Sequence, residues 1–259
     1  SLDGLVRPVS GILSMSDQMA KEPDLLNFIL PPDNAEEAAI AGRLQVLAAA
    51  SLLQVTQILD GSLQVAATKV DTAALFAQNR RNQRLDMADV KGQQAAKRAL
   101  TIAAAGAHNI LLIGPPGSGK TMLARRLPGI LPDLTFAESL EVTKLFSISG
   151  LLPAGQPLLT ERPFRSPHHT ASAVSIIGGG ATPRPGEISL ASHGVLFLDE
   201  LPEFQRDVLE ALRQPLEDHT VTIVRAAARV EFPAHFQLVG ASNPCPCGYY
   251  GDSLKQCTC

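Results

Sequence analysis

The sequence predicts an α/β protein whose main part is a parallel sheet flanked by helices. Three apolar runs, residues 109–113, 194–199 and 236–240, are typical of buried strands. Helical patterns separate these runs, as expected where crossover helices join parallel strands. The helical patterns cover residues 93–107, 119–127, 137–146 and 205–214. Two further runs, 220–224 and 229–232, predict a hairpin.

The composition fits one or two globular domains. The chain has 259 residues, of which 45% are hydrophobic and 18% charged, so it has ample apolar material for a core. Its formal net charge is -3. This balance excludes nucleic-acid binding through bulk positive charge, although it leaves room for a local basic strip.

No segment has the pattern of a membrane span or a signal peptide. The longest uncharged stretch, residues 99–119, is interrupted by His108, Asn109 and two prolines. The first residues have neither a basic start nor an apolar run. We therefore expect a cytoplasmic protein without a membrane partner.

Residues 1–61 predict a smaller α/β unit. Runs at 27–30 and 44–47 indicate strands, and Asp33 or Asn34 is a candidate N-cap for the helix between them. The pattern weakens over residues 62–85, which we interpret as a linker. The linker contains a basic run at 78–84, typical of solvated surface, with DNA contact as the alternative.

A phosphate-binding loop follows the first buried strand of the main part. Residues 114–121 match G-x-x-x-x-G-K-[ST] between a predicted strand and a predicted helix, which is the context that the motif requires. The backbone N–H groups of such a loop converge on phosphate oxygens. Lys120 is expected to reach the β and γ phosphates, and Thr121 to hold Mg²⁺. The predicted ATP-binding residues here are Gly114, Pro115, Pro116, Gly117, Ser118, Gly119, Lys120 and Thr121.

Polar residues follow the other two buried strands. Asp199 and Glu200 end the second strand, where Asp199 is expected to hold Mg²⁺ and Glu200 to activate a water. Asn243 follows the third strand, where its amide is expected to orient that water near the γ phosphate, with a turn position as the alternative. An acidic pair at this place favours hydrolysis over phosphate transfer to a bound acceptor. The sequence therefore predicts an enzyme that hydrolyses ATP with Mg²⁺.

The segment at 89–93 (DVKGQ), together with Asp199, Glu200 and Asn243, resembles the arrangement of AAA+ ATPases. The resemblance is closer still to the magnesium-chelatase-like ComM/YifB family of competence proteins, over residues 86–259. The motifs that carry it are 162–169 (RPFRSPHH), 178–180 (GGG), 185–190 (PGEISL), 194–204 (GVLFLDELPEF), 212–218 (LRQPLED) and 243–248 (NPCPCG). It implies an AAA+ P-loop NTPase core, here without its C-terminal lid, and a nucleotide contact from Gln93.

The same resemblance implies a homo-hexameric ring that remodels DNA by branch migration or helicase activity during natural transformation. The alternatives are a chelatase-type ATPase that remodels a protein partner, and a nucleotide-gated binding module. The insertion at 161–180 and the hairpin at 220–232 would face the central pore of the ring. The candidate substrate contacts are Arg165, His168, His169, Arg225 and Arg229. Loop packing or hydrogen bonding is the alternative for the two histidines, and metal binding is disfavoured because consecutive strand side chains point to opposite faces.

Residues 1–61 resemble the carboxyl half of a Lon-protease-like domain, of the ribosomal S5 domain 2-like class, through 1–4 (SLDG), 7–11 (RPVSG) and 29–34 (ILPPDN). The Lon dyad needs a lysine two residues after the position of Gly11. Leu13 stands there, and no segment matches the nucleophile. We expect a partial accessory domain with no protease activity.

All four cysteines lie near the end of the sequence: Cys245, Cys247, Cys257 and Cys259. Four thiolates suffice for a tetrahedral Zn²⁺ site, although the C-x-C pairs are tighter than the usual spacing. A metal-free cysteine-rich loop and redox or disulfide use remain alternatives.

Overall fold

The computed structural model describes residues 2–81, 85–180, 182–225, 228–251 and 255–259. The helices are α1 Ile12–Met19, α2 Pro32–Ala39, α3 Leu52–Leu59, α4 Thr72–Arg81, α5 Gln94–Gly106, α6 Lys120–Ala124, α7 Phe136–Ser149, α8 Ala173–Ile177, α9 Glu187–Leu190, α10 Arg206–Ala211 and α11 Arg213–Asp218. The strands are β1 Asn27–Leu30, β2 Gln45–Ala48, β3 Ile110–Ile113, β4 Phe164–Arg165, β5 Gly178–Gly179, β6 Arg184–Pro185, β7 Val195–Leu198, β8 Thr220–Arg225, β9 Ala228–Pro233 and β10 Gln237–Ser242.

The chain divides into two compact units. Unit 1 comprises Ser1–Arg81 and Phe136–Thr160, and unit 2 comprises Asn82–Thr135 and Glu161–Cys259. This division departs from the expected one at two places. The expected linker, 62–85, contains helix α4, and α7 belongs to unit 1 although its sequence lies within the expected ATPase core.

Unit 1 is built on the parallel pair β1 and β2. Its main apolar cluster brings together Ile12, Leu30, Ala38 and Val46, from both strands and the helices α1 and α2. A second cluster joins Leu13, Ile40 and Leu158 with the α4 side chains of Leu75 and Phe76. Helix α4, which lies within the expected linker, therefore packs on unit 1 through its apolar side chains.

The start of α2 also differs from the sequence prediction. The helix begins at Pro32 with Pro31 as the N-cap residue, and no side chain caps it. Proline is well suited to the first helical position because it has no N–H to leave unpaired. Asn34 instead accepts from Val9 N at 2.9 Å and donates to Val9 O at 3.0 Å, so its amide serves a tertiary contact.

Unit 2 contains a parallel sheet in the order β3-β10-β7-β4. Strand β7 lies inside the sheet, and all four of its residues are buried. Leu100 of α5 and Leu123 of α6 pack in one cluster with Phe197 and Val239 of the sheet. The α/β fold with a parallel sheet flanked by helices is thereby confirmed.

Strand β3 was expected to be buried, and this was wrong. It lies at the edge of the sheet among the described strands, and its burial alternates along the strand. Leu111 is 50% exposed and Ile113 is 63% exposed. A run of apolar residues does not distinguish an edge strand from a central one, because strand order depends on distant pairings.

Two small antiparallel pairs complete unit 2. The hairpin of β8 and β9 has the predicted pairing, with Val224 opposite Arg229. Strands β5 and β6 form a second pair, in which β5 lies at the end of the predicted insertion and β6 lies just beyond it. None of the described helices combines the length and apolar character needed to cross a bilayer.

Candidate functional site

The parallel order of the sheet brings the predicted motifs to one edge. The loop at 114–121 follows β3, Asp199 and Glu200 follow β7, and Asn243 follows β10. Because these strands are parallel neighbours, their carboxyl ends lie side by side. Most of the predicted residues line a cavity of about 330 Å³, whereas Gln93, Gly114 and Pro115 are not part of its lining. Its lining comprises Pro116, Gly117, Ser118, Gly119, Lys120, Thr121, Met122, Asp199, Glu200, Ser242 and Asn243.

The loop has the backbone geometry of a phosphate cradle. Gly117 and Gly119 have φ angles of 76° and 86°, a region that favours glycine, and α6 begins at Lys120. A Cβ atom at Gly114 would lie 2.9 Å from Ser118 Oγ. Ser118 Oγ is itself buried without a hydrogen-bond partner among the described residues. The loop therefore turns tightly enough to direct backbone N–H groups toward an anion at the start of α6.

The Lys120 ammonium lies at the centre of the site. Its Nζ donates to the carbonyl oxygens of Gly114 at 2.7 Å and Pro115 at 3.1 Å. It also donates to Asn243 Oδ1 at 3.1 Å. These contacts hold the positive charge over the loop and join the ends of β3 and β10.

Thr121 and Asp199 form the second central contact. The Thr121 hydroxyl donates to Asp199 Oδ2 at 2.7 Å, and Asp199 Oδ1 accepts from the backbone N–H of Glu200 at 3.0 Å. A hydroxyl and a carboxylate are hard oxygen ligands of the kind that Mg²⁺ prefers. Their adjacency beside the phosphate loop fits the predicted magnesium site.

Glu200 occupies a left-handed backbone conformation with φ of 53°. Its side chain is 56% exposed, and its Oε2 lies 3.2 Å from His169 Nδ1. The His169 ring also lies against the His168 ring, with ring centroids 4.1 Å apart and an angle of 34° between the ring planes. His168 Nδ1 lies 2.9 Å from the Thr170 hydroxyl. The contact between His169 and the predicted base was not predicted from the sequence, which placed His169 only on an insertion.

Gln93 contacts the loop from the other side. It has a φ angle of 56°, and its Nε2 donates to the carbonyl oxygen of Ser118 at 3.1 Å. The segment before α5 is thereby attached to the phosphate loop, which places Gln93 next to the predicted nucleotide site.

The remaining substrate candidates are placed differently. Arg165 makes a bidentate ion pair with Glu187, with nitrogen–oxygen distances of 2.6 and 2.7 Å, and so anchors β4 to α9. Arg229 is exposed on β9. Arg225 ends β8, and its side chain lies outside the part of the chain that the structure describes.

The four cysteine sulfurs form one cluster. All four Sγ atoms lie within 4.8 Å of one another. No disulfide joins any two of these described cysteines. Backbone N–H groups of Thr258 and Tyr249 lower the pKa of the Cys247 thiol to about 5. Such N–H contacts stabilise a thiolate.

Comparison with known proteins adds a family match. Residues 86–259 match the family described as magnesium chelatase, subunit ChlI. The chain is similar to Competence protein ComM of Haemophilus influenzae, with 47% identity over 254 residues, covering 96% of this chain and 48% of that protein. It is 44% identical to the uncharacterized protein YifB of Escherichia coli, covering 100% of this chain and 49% of that one.

The chain thus spans about half the length of these curated relatives. Among solved structures, it resembles the complex between subunits BchI and BchD of magnesium chelatase. The TM-score is 0.48 at 23% identity, covering 60% of this chain and 53% of that chain.

Proposed function

Because this chain belongs to the magnesium chelatase ChlI family of AAA+ ATPases and is related to ComM and YifB, we propose that it binds ATP with Mg²⁺ and hydrolyses it. One observation carries the proposal. Lys120 Nζ bonds to Asn243 Oδ1, and the Thr121 hydroxyl bonds to Asp199, so four side chains from three strand ends meet over the phosphate loop. This set combines an anion cradle, a cation and hard oxygen ligands.

Each group has a distinct role in this proposal. The loop N–H groups and the Lys120 ammonium bind the β and γ phosphates of ATP. Thr121 and Asp199 would hold Mg²⁺, which neutralises phosphate charge when it is bound. Glu200 accepts a proton from the attacking water, and Asn243 orients that water while keeping Lys120 in place. Gln93 supports the loop through its bond to Ser118 O.

We assign His169 as a positioning residue for Glu200. The Glu200 side chain is more than half exposed, so its carboxylate needs a contact that orients it. His169 provides one, because its Nδ1 lies 3.2 Å from Glu200 Oε2. His169 contacts the tilted ring of His168 and makes an edge contact with Phe204, whose ring centroid is 6.5 Å away. The insertion that carries candidate substrate contacts therefore touches the proposed base, which offers a route by which substrate binding changes ATP turnover.

Phosphate release from ATP tests the proposal, with Mg²⁺ added or chelated. We expect turnover that requires Mg²⁺, and we expect Thr121→Ala to shift the Mg²⁺ concentration needed for half-maximal activity upward. Thr101→Ala, on the outer side of α5, is a matched control because its hydroxyl donates to the helix backbone at Lys97 O. Turnover that is insensitive to chelation would contradict the proposed site.

For the substrate, we propose that the motor is cytoplasmic, assembles as a homo-hexameric ring and remodels DNA by branch migration or helicase activity in natural transformation. The 47% identity to a competence protein over 96% of the chain supports this role. His168, His169, Arg225 and Arg229 remain the candidate substrate contacts. Arg165 is a weaker candidate because Glu187 pairs with its guanidinium.

The second candidate is a chelatase-type ATPase that remodels a protein partner, which the family match supports. ATP turnover of the full-length protein with single-stranded and branched DNA separates the two. Stimulation by DNA that fades as salt rises is expected for the DNA motor, because phosphate contacts release counterions. Stimulation only by a partner protein would favour the second function. Near-zero turnover under every condition would favour a nucleotide-gated binding module.

A further inference from the structure

Outside the proposed ATP pocket, four cysteine side chains form a cluster that could hold a metal ion. Cys245 and Cys247 lie in the turn after β10, and Cys257 and Cys259 lie ten and more residues further along the chain. The chain returns on itself so that all four sulfurs lie within 4.8 Å of one another. Two C-x-C pairs that are separated in the sequence therefore place their four thiols close together.

The sulfur spacing matches a tetrahedral cation. A Zn–S bond of about 2.3 Å places neighbouring sulfurs of a tetrahedron about 3.8 Å apart. Cys245 Sγ lies 3.4 Å from Cys247 Sγ and 3.8 Å from Cys257 Sγ. Cys257 Sγ lies 3.6 Å from Cys247 Sγ and 3.8 Å from Cys259 Sγ. A disulfide requires about 2.05 Å, so these separations suit a shared metal and not two cross-links.

The surrounding backbone supports thiolate charge. The N–H of Cys247 donates to Cys259 Sγ at 3.2 Å, and the N–H of Tyr250 donates to Cys245 Sγ at 3.3 Å. Hydrogen bonds of this kind orient metal ligands and stabilise their charged form. Soft thiolates favour Zn²⁺ over the hard Mg²⁺ of the nucleotide site.

We propose that Cys245, Cys247, Cys257 and Cys259 bind one structural Zn²⁺. We also propose that the turn at 245–248, called here the metal turn because it carries two of the ligands, supports the phosphate loop. Cys245 is two residues from Asn243, whose Oδ1 accepts from Lys120. Gly248 has a φ angle of 83°, and a Cβ there would lie 2.7 Å from Pro116 Cδ. The backbone of the metal turn therefore packs directly on the phosphate loop. This supporting role rests on the proposed function, whereas the metal site does not.

Metal content of the purified full chain tests the site. Protein prepared with zinc and without chelator is expected to contain about one zinc per chain by elemental analysis. Replacement of zinc by Co²⁺ is expected to give the thiolate charge-transfer and d–d absorption of a tetrahedral site. Protein that takes up neither ion while its thiols are reduced would overturn the proposal. Two disulfides, shown by mass and thiol titration in freshly purified protein, would also overturn it.

Zinc retention in single-substitution variants distinguishes the proposed zinc ligands from neighbouring residues that do not bind the metal. Cys257→Ser is expected to lower zinc retention during dialysis against a chelator, whereas Thr258→Ala, between two ligands, is expected to retain zinc as the unchanged chain does. Equal retention by the two variants would contradict the ligand assignment. Because this readout follows the metal alone, it does not depend on ATP hydrolysis.

Binding of a fluorescent ATP analogue tests the supporting role. Removal of zinc is expected to weaken analogue binding by about 10-fold to 100-fold, since small displacements of positioned groups are costly. Restoration by added zinc is expected. Unchanged affinity in the zinc-free chain would overturn the supporting role. A zinc-loaded chain that binds no nucleotide would overturn that role and the proposed function together, while the zinc site would stand.

Discussion

Among single residues, the proposed ATP site depends on a few close side-chain contacts. Lys120 Nζ is held by two loop carbonyls and by Asn243, so its charge is positioned before a nucleotide arrives. Thr121 and Asp199 are similarly paired through one hydrogen bond of 2.7 Å. Pre-positioned groups of this kind lose little conformational freedom on binding, which favours affinity.

Lys120→Ala is expected to weaken nucleotide binding by about 10-fold to 150-fold. The substitution removes the cation that pairs with the β and γ phosphates, a charge-assisted contact of about 1.5 to 3 kcal/mol, and leaves Asn243 Oδ1 without its donor. Titration with a fluorescent ATP analogue measures the change. Lys69→Ala, at an exposed lysine of unit 1, serves as the control and should bind as tightly as the unchanged chain. Equal affinity in the two variants would show that Lys120 does not bind phosphate.

His169→Ala is expected to lower kcat about 10-fold while nucleotide affinity stays unchanged, because Glu200 loses a neighbour that orients it. His169→Asn keeps a polar side chain of similar reach and should restore part of the rate. His168→Ala is expected to lower kcat less than His169→Ala, because His168 contacts His169 and the Thr170 hydroxyl and acts on Glu200 only through His169. A fall in nucleotide affinity with kcat unchanged would assign His169 to nucleotide binding and not to positioning.

At the scale of elements, the strands of the unit 2 sheet that end at the site include one central strand, β7, and one edge strand, β3, and these two strands differ in burial. Strand β7 is fully buried and ends at Asp199, whereas β3 is half-exposed and ends at the phosphate loop. Phe197 of β7 also stacks on Phe164 of β4, with ring centroids 5.8 Å apart. The stability of the site therefore rests more on β7 than on β3.

Phe197→Ala is expected to destabilise the chain by about 3 to 5 kcal/mol, because it removes a fully buried aromatic ring and leaves a cavity. Leu111→Ala, at a strand position that is 50% exposed, is expected to cost well under half as much. Urea unfolding of both variants, monitored by circular dichroism, measures the difference. Similar losses of stability would indicate that β3 is as deeply packed as β7.

The sequence predicted these elements to different degrees. Phosphate-loop, acidic and Asn243 positions were placed correctly at strand ends because apolar runs and turn residues are local signals. The edge position of β3 was missed, since apolar character does not report which strands pair. The contact of His169 with Glu200 was also missed, because it depends on the tertiary packing of two segments that are distant in the sequence.

At the scale of the whole molecule, the division into units does not follow the order of the chain. Helix α7 lies within the matched family region but packs in unit 1. Ser147 of α7 donates to Glu37 and accepts from the N–H of Gly11 at 2.9 Å. Lys144 Nζ lies 2.8 Å from Asp17 Oδ2. These contacts depend on tertiary structure, so the sequence pattern, which follows chain order, assigned α7 to the ATPase core.

A chain limited to residues 86–259 is expected to lose protection in α7. Its buried contacts with Gly11 and Glu37 and its half-buried ion pair with Asp17 would be absent, so its backbone amides should exchange with solvent faster than in the full chain. Hydrogen exchange read by mass spectrometry measures this, with β7 as the internal control because its partners lie within 86–259. Equal protection of α7 in both chains would contradict its assignment to unit 1.

We propose that ATP is hydrolysed in the cavity at the ends of β3, β7 and β10, with Glu200 as the base. Glu200→Gln keeps the shape of the side chain and removes the carboxylate that accepts a proton, so ATP binding and turnover should separate. The direct measurement is a single-turnover ATP hydrolysis assay on this variant, with bound nucleotide quantified in the same sample. We expect unchanged ATP binding and a hydrolysis rate lowered by at least about 100-fold. Hydrolysis at the rate of the unchanged chain would show that Glu200 is not the base.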